Sequence, residues 1–387
     1  MKTFIASAVL AGCACFFAFP AAADESGSFL VRLGRDTTSI EAYHRSAARL
    51  EIDQVGRAPR VLKRHLVYDM KDGATSKVSL VVTPAGSTTP TQTVDAALQG
   101  DSLRVQTKTG DAAAQSVSVA FPAKSAVVVL SAPWATYEGL LQDFVKSRRD
   151  SSLSTVLFLG NPTTSWLRLS KLGRDSVNLF NERGDIYHVR VDKTGHILGV
   201  LPVAGTAKVG VERVEKLDMA GLATAFAARE QSGGGLGVLS PRDSVVLANV
   251  GGAALWIDYG RPSKRGRTVF GGVVPYGEVW RTGANAATQF KTNKALDFGG
   301  TVVPAGFYTL WTIPSPTGWK LIVNGETGEW GTAHKPEKDL YTIDMKVSSL
   351  PSPVERFTIS VDPSAQGGTL NLDWDTTRAS AAFVVKP

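Results

Sequence analysis

Arg281 and Asn285 lie four residues apart in Val274–Thr288, VPYGEVWRTGANAAT, with Tyr276 and Trp280 beside them. Arginine offers a planar fork of donors, asparagine an amide that both donates and accepts, and the two rings flat apolar faces. Such a set suits a carboxylate, a phosphate or a sugar. Arg261 and Arg267, which flank the preceding turn, complete an anion site if they converge on Arg281. The same residues also suit a brace. Gly277 and Gly283 permit the turns, Trp280 anchors in a core, Arg281 ties loop carbonyls or a carboxylate such as Asp258, and Asn285 satisfies backbone groups the loop leaves unpaired. Arg261, Arg267, Tyr276, Trp280, Arg281 and Asn285 are the candidate binding residues on this reading.

Chemistry elsewhere is sparse. The five histidines, His44, His65, His188, His196 and His334, show no pair two to four residues apart and no HExxH. His188 and Arg190 share one strand face with His196 across a hairpin, but only Asp185 and Asp192 are at hand as carboxylate ligands. There is no Gly-x-Ser-x-Gly elbow, so a triad in the C-terminal half would rest on His334 alone. Asp373 and Asp375, at period-two spacing, read as the charged solvent face of one strand. No catalytic residue, metal ligand or cofactor is assigned.

The elements that position these residues are mostly strands. Gly233–Gly237, after Ser232, is the clearest break and gives a first domain over 24–231, a linker over 232–238 and a second domain over 239–387. In the first, Phe29–Leu33, Arg60–Tyr68, Lys77–Thr83, Leu103–Lys108, Ser125–Leu130, Val156–Leu159 and Ile186–Val191 alternate as strands. The turns Leu33-Gly34-Arg35-Asp36, Gly100-Asp101-Ser102 and Leu172-Gly173-Arg174-Asp175 feed such alternations. A helix over 133–147, capped by Ser131, carries Trp134, Tyr137, Leu140, Leu141, Phe144 and Val145 at helical spacing; its stripe calls for a curved sheet beneath it. A second helix spans about Asp218–Gln231. In the second domain Ala254–Tyr259, Phe307–Ile313, Trp319–Asn324, Tyr341–Val347, Glu355–Val361, Thr369–Trp374 and Ala379–Val385 read as strands. The fold class is mainly β: an N-terminal curved antiparallel sheet with one or two helices and a C-terminal antiparallel β-sandwich.

Asp258-Tyr259-Gly260-Arg261-Pro262, Gly266-Arg267 with Phe270-Gly271, the Val274–Thr288 run, Pro304-Ala305-Gly306, Trp330-Gly331 and Leu372-Asp373-Trp374 occur in order. Together they resemble the bacterial family called domain of unknown function 2911, over about Leu239 to Val385. The chain departs from that pattern after Trp330-Gly331, where it has His334 and the family an aromatic. The resemblance implies an exported β-rich domain and no assigned activity. The N-terminal half resembles, as a fold only, the curved-sheet carriers of the lipoprotein-localisation type.

Lys2, the apolar run to Phe19 and the small residues before Ala23 form the pattern of a secretory signal peptide. Leu10-Ala11-Gly12-Cys13 also resembles a lipobox, but apolar residues continue past Cys13, which favours cleavage after Ala23. Cys13 and Cys15 then leave together, and a periplasmic or secreted chain without thiols results. With Lys2 removed, 41 basic residues face 35 acidic ones, so the formal charge falls from +7 to +6. Those charges are scattered, against the stripe that nucleic acid requires, and no later run is long enough to span a membrane. The expected role is an exported binding or structural protein that holds a lipid-like or anionic small ligand, or an envelope partner, in the N-terminal sheet. The alternative is an envelope hydrolase acting on glycan or peptide near residues 276–288, for which His334 or Glu278 must share a cleft with Arg281.

Overall fold

The computed structural model describes residues 24–71, 74–121, 125–128, 133–159 and 163–387. The signal-peptide segment with Cys13 and Cys15, and Ser131 as a helix cap, lie outside them. Eight strands form an antiparallel meander: β1 (Glu25–Leu33), β2 (Asp36–Arg45), β3 (Arg49–Gly56), β4 (Leu62–Lys71), β5 (Ala74–Pro84), β6 (Gln92–Gln99), β7 (Ser102–Thr109) and β8 (Gln115–Ala120). A second run follows: β9 (Ala126–Val128), helix α1 (Trp134–Ser147), β10 (Ser151–Phe158), β11 (Thr163–Lys171), β12 (Ser176–Asn181), β13 (Ile186–Val191), β14 (Ile197–Ala204) and β15 (Gly210–Val214). β15 pairs with β1, so both runs join in one sheet of fifteen strands among the described residues. All these pairings are antiparallel except β9 with β10.

Such a sheet has two faces, and each receives a helix. Phe29, Leu66, Leu80, Val94 and Leu103 from one run share a single buried cluster with Val156, Leu167, Leu179 and Val189 from the other. Trp134, Leu141 and Phe144 of α1 are in the same cluster, so the sheet curls around α1. Burial of each such side chain stabilises by about 1.5–3 kcal/mol. On the opposite face α2 (Met219–Arg229), capped by the Asp218 carboxylate on the Gly221 N–H, covers Ile40, Val55 and Val61. The glycine-rich stretch after it begins as a helical turn over Glu230–Gly234, and the Glu230 carboxylate accepts from the Val61 N–H.

The C-terminal strands are β16 (Arg242–Val250), β17 (Ala253–Gly260), β18 (Thr288–Thr292), β19 (Leu296–Asp297), β20 (Val302–Val303), β21 (Gly306–Ile313), β22 (Gly318–Asn324), β23 (Asp339–Ser364) and β24 (Gly367–Val385). The expected strands over 341–347 and 355–361 are two arms of one strand, β23, and those over 369–374 and 379–385 are arms of β24. Pairing between β23 and β24 is irregular from Ser349 to Thr358, which contains Pro351 and Pro353. Proline has no N–H for the ladder, so the strand bends there instead of ending. Phe357 and Trp374 thereby face Tyr259 and Trp280 across the core.

The interior of the N-terminal sheet holds charge as well as apolar surface. Glu138, fully buried on α1, accepts from the Tyr43 hydroxyl, from Arg213 and from the Ile197 N–H at 2.7 Å. Glu41, equally buried on β2, accepts from the Ala135 N–H at 3.1 Å, one of the unpaired donors at the start of α1. Burial, with a smaller push from Glu138, raises the Glu41 carboxyl to about 8 from 4.5. Its folded value lies above its unfolded one, so its contribution to stability is complete below pH 4.5 and is lost as the pH rises through about 8. Glu41→Gln should therefore gain stability relative to the native chain as the pH rises from 5 to 9. Denaturation midpoints at several pH values check this; parallel curves for the two proteins would contradict it.

Candidate ligand-binding site

The signature loop assembles around glycine. Arg281 passes across Gly331, where a Cβ would collide with its side chain and with the Asn285 carbonyl. Its guanidinium donates to Gly331 O at 3.0 Å and to Gly205 O, at the end of β14, at 2.9 Å. Arg281 is thus a link between the two sheets, and Asp258 pairs with Arg242 instead. Asn285 adopts φ 63°, a conformation asparagine tolerates, and its carbonyl accepts from the Gly331 N–H. Trp280 is buried, stacked on Trp374 at 6.0 Å, and its Nε1 donates to Gly283 O.

The six candidate residues do not all meet. Arg267, Trp280 and Arg281 line one cleft between the two sheets, together with Glu278. Arg261 turns away, to Asp243 at 3.0 Å, Phe357 O and Thr358. Tyr276 is exposed and covers Gly271. His334 bonds Asp339 at 2.9 Å against the Trp311 ring and is not among the residues lining that cleft. Asp373 is buried and gripped by Arg378, whereas Asp375 has φ 54° and bonds Lys264 at 2.5 Å, so the two do not share a solvent face.

A second cavity, of about 330 Å³, opens inside the curved sheet beside the start of α1. Trp134, Tyr137, Phe158, Leu179, Tyr187 and Val209 give it apolar walls, and Trp134 packs on Tyr137 and edge-on to Tyr187 at 5.3 and 5.4 Å. Arg64 enters from β4, on the inward phase that also carries Leu62, Leu66 and Tyr68. It lies directly opposite Gln54, which lies opposite Glu41, so a polar row crosses β4, β3 and β2. Two strand spacings, about 10 Å, separate the backbones of Arg64 and Glu41. Arg64 bonds Gln54 Oε1 at 3.2 Å and has no carboxylate partner among the described residues. Gly56, diagonal to it on β3, makes room for it, since a Cβ there would meet its guanidinium. Burial lowers its pKa. Asp185, also on the cavity wall, is engaged by Asn181 and by the Thr206 and Ala207 N–H groups.

At the other end of α1, His196 bonds Glu25 at 2.7 Å and Asp192 at 3.1 Å. Burial alone would lower its pKa, but these bonds outweigh it and raise it. Glu25, Glu138 and His196 bring three metal-ligating atoms within 4.8 Å of one another, yet Arg45 and Arg213 already sit on the two carboxylates. This cluster reads as an ion-pair network that fixes α1. Arg64, Glu41 and Glu138 escaped the motif search; each sits on the apolar phase of its element, which is the signal that finds them.

The segment 240–383 matches the family model described as protein of unknown function (DUF2911). No curated protein matches the chain. Among solved structures, a DUF1089 family protein from Pseudomonas aeruginosa is similar at 12% identity, over 48% of this chain and 95% of that one, with a TM-score of 0.32. A receptor binding domain is similar at 8% identity over 94% and 89%, TM-score 0.15. The binding domain of botulinum neurotoxin DC, in complex with rat synaptotagmin II, is similar at 7% identity over 94% and 90%, TM-score 0.14. Scores well under 0.5 do not establish a shared fold.

The packing of Arg281 over Gly331 gives a direct test. Gly331→Ala should destabilise the protein by about 1–3 kcal/mol, the range for overpacking, in urea unfolding. Gly173→Ala, whose Cβ meets nothing within 4 Å, serves as the control. Equal stabilities of the two variants would refute the close-approach account.

Proposed function

We propose that the chain is an exported two-domain binding protein whose N-terminal sheet holds a small amphipathic ligand in the hollow beside α1, its acidic head on Arg64. One observation carries this reading: a half-buried, inward-facing arginine with no carboxylate partner among the described residues, at a cavity whose aromatic and aliphatic walls are broken by Asn181, Arg183 and the already engaged Asp185. A buried cation is stable only when compensated, and an acidic group on the ligand supplies what the fold leaves out. Trp134, Tyr137, Phe158 and Leu179 then accept the apolar body. The volume, about 330 Å³, is at the small end of ligand pockets, about 300–1,000 Å³. The ligand is accordingly the size of a short acyl chain.

Decanoate is the probe. It should bind one site per chain by calorimetry and shift Trp134 fluorescence, and Arg64→Met should weaken binding at least about tenfold, as expected for loss of a charge-assisted hydrogen bond. Without decanoate, Arg64→Met should be as stable as the native chain or more so, because the substitution removes an uncompensated charge. Native-like affinity in Arg64→Met, or no saturable binding, would overturn the proposal.

A further inference from the structure

The geometry points to a second binding site, for a small oxyanion, in the cleft between the two sheets where Lys208, Arg267 and Arg281 line a common space. The cleft has a volume of about 600 Å³ and takes walls from both halves: Gly205 and Lys208 on one side, Arg267, Val274, Trp280 and Arg281 on the other. All three cations spend their donors on backbone carbonyls. Lys208 reaches Val203 O at 3.3 Å, Arg267 reaches Lys264 O and Ser263 O, and Arg281 reaches Gly331 O and Gly205 O. Carbonyls satisfy hydrogen bonds but leave the net charge in place. The Arg281 Nε, also buried, has no partner at all among the described residues.

The electrostatics agree with that geometry. Burial lowers the Lys208 ammonium, and Arg281 and Arg267 push it further down against the opposing pull of Asp185, so the three cations repel one another. Burial also depresses Arg281 to about 10, with only Asp185 opposing. Asp185 is engaged by N–H groups, as described above, and is not among the residues lining the cleft; Glu278, which is, is exposed and unpaired with any of the three. An oxyanion with two or more oxygens would form charge-assisted bonds to groups that now oppose one another. It would also join the two halves, because Lys208 belongs to one and the arginines to the other. This inference does not rest on the ligand proposed for the hollow.

The test is calorimetry of the full chain with inorganic phosphate and, separately, with succinate, at fixed ionic strength so that screening stays constant. At least one anion should bind one site per chain; which one does distinguishes phosphate from carboxylate chemistry. Lys208→Gln should weaken binding by about tenfold and Lys208→Glu should abolish it. Lys208 holds a single long bond to Val203 O and is repelled by Arg267 and Arg281, so both variants should unfold at or above the native midpoint without anion and bind decanoate as before. Absence of saturable binding for both anions, or affinities indifferent to Lys208, would overturn the proposal.

Discussion

The Glu138 carboxylate joins three parts of the N-terminal sheet to one helix. Tyr43 reaches it from β2, Arg213 from β15 and the Ile197 N–H from the start of β14. These strands flank the β1–β15 seam, where the two meanders become one sheet. Among the described residues α1 is the element packed into the concave face of this curved sheet, so it must cover that face and must be held in one position. A single buried charge, satisfied by an arginine, a hydroxyl and a backbone donor, does so with a geometry that apolar packing alone leaves looser. With α1 fixed, the space beside its first turn stays open, and Arg64 is left facing it.

The C-terminal half depends on close backbone approach. Arg281 reaches the carbonyl of Gly205 only because Gly331 has no side chain. The turn between β1 and β2 meets Arg265 in the same manner: the Arg35 N–H donates to Arg265 O, Asp36 pairs with the Arg265 guanidinium at 2.6 Å, and Gly34, at φ 61°, leaves room for that carbonyl. Thr332 bonds the Arg183 carbonyl at 2.6 Å beside Gly184. Short glycine turns of the first sheet are therefore the points at which the second is attached. The Trp-Arg-Thr-Gly-Ala-Asn core both seals the aromatic interior through Trp280 and ties the two halves through Arg281.

Much of this was legible in the sequence. The stripe from Trp134 to Val145 identified α1 and the surface it needs, because helical periodicity survives any tertiary context. Strands such as Ile186–Val191 and Trp319–Asn324 alternate strongly enough to be seen alone. Thr163–Lys171 and Ser176–Asn181 do not, because their inward Leu167, Leu169, Val177 and Leu179 are interleaved with Ser, Thr and Asn of weak contrast. The bend that keeps β23 continuous is hidden, since Pro351 and Pro353 read locally as a stop. The site was least legible. Arg64 and Glu138 carry no motif, and their meaning lies in partners 10 residues away for one and 59 to 95 for the other.

Crystallographic localisation of a brominated medium-chain carboxylate tests the central claim most directly. The account predicts an anomalous bromine peak among Trp134, Tyr137, Phe158 and Leu179, with the carboxylate within hydrogen-bonding distance of the Arg64 guanidinium. A peak outside the hollow, or a chain in the hollow with its carboxylate directed away from Arg64, would contradict it.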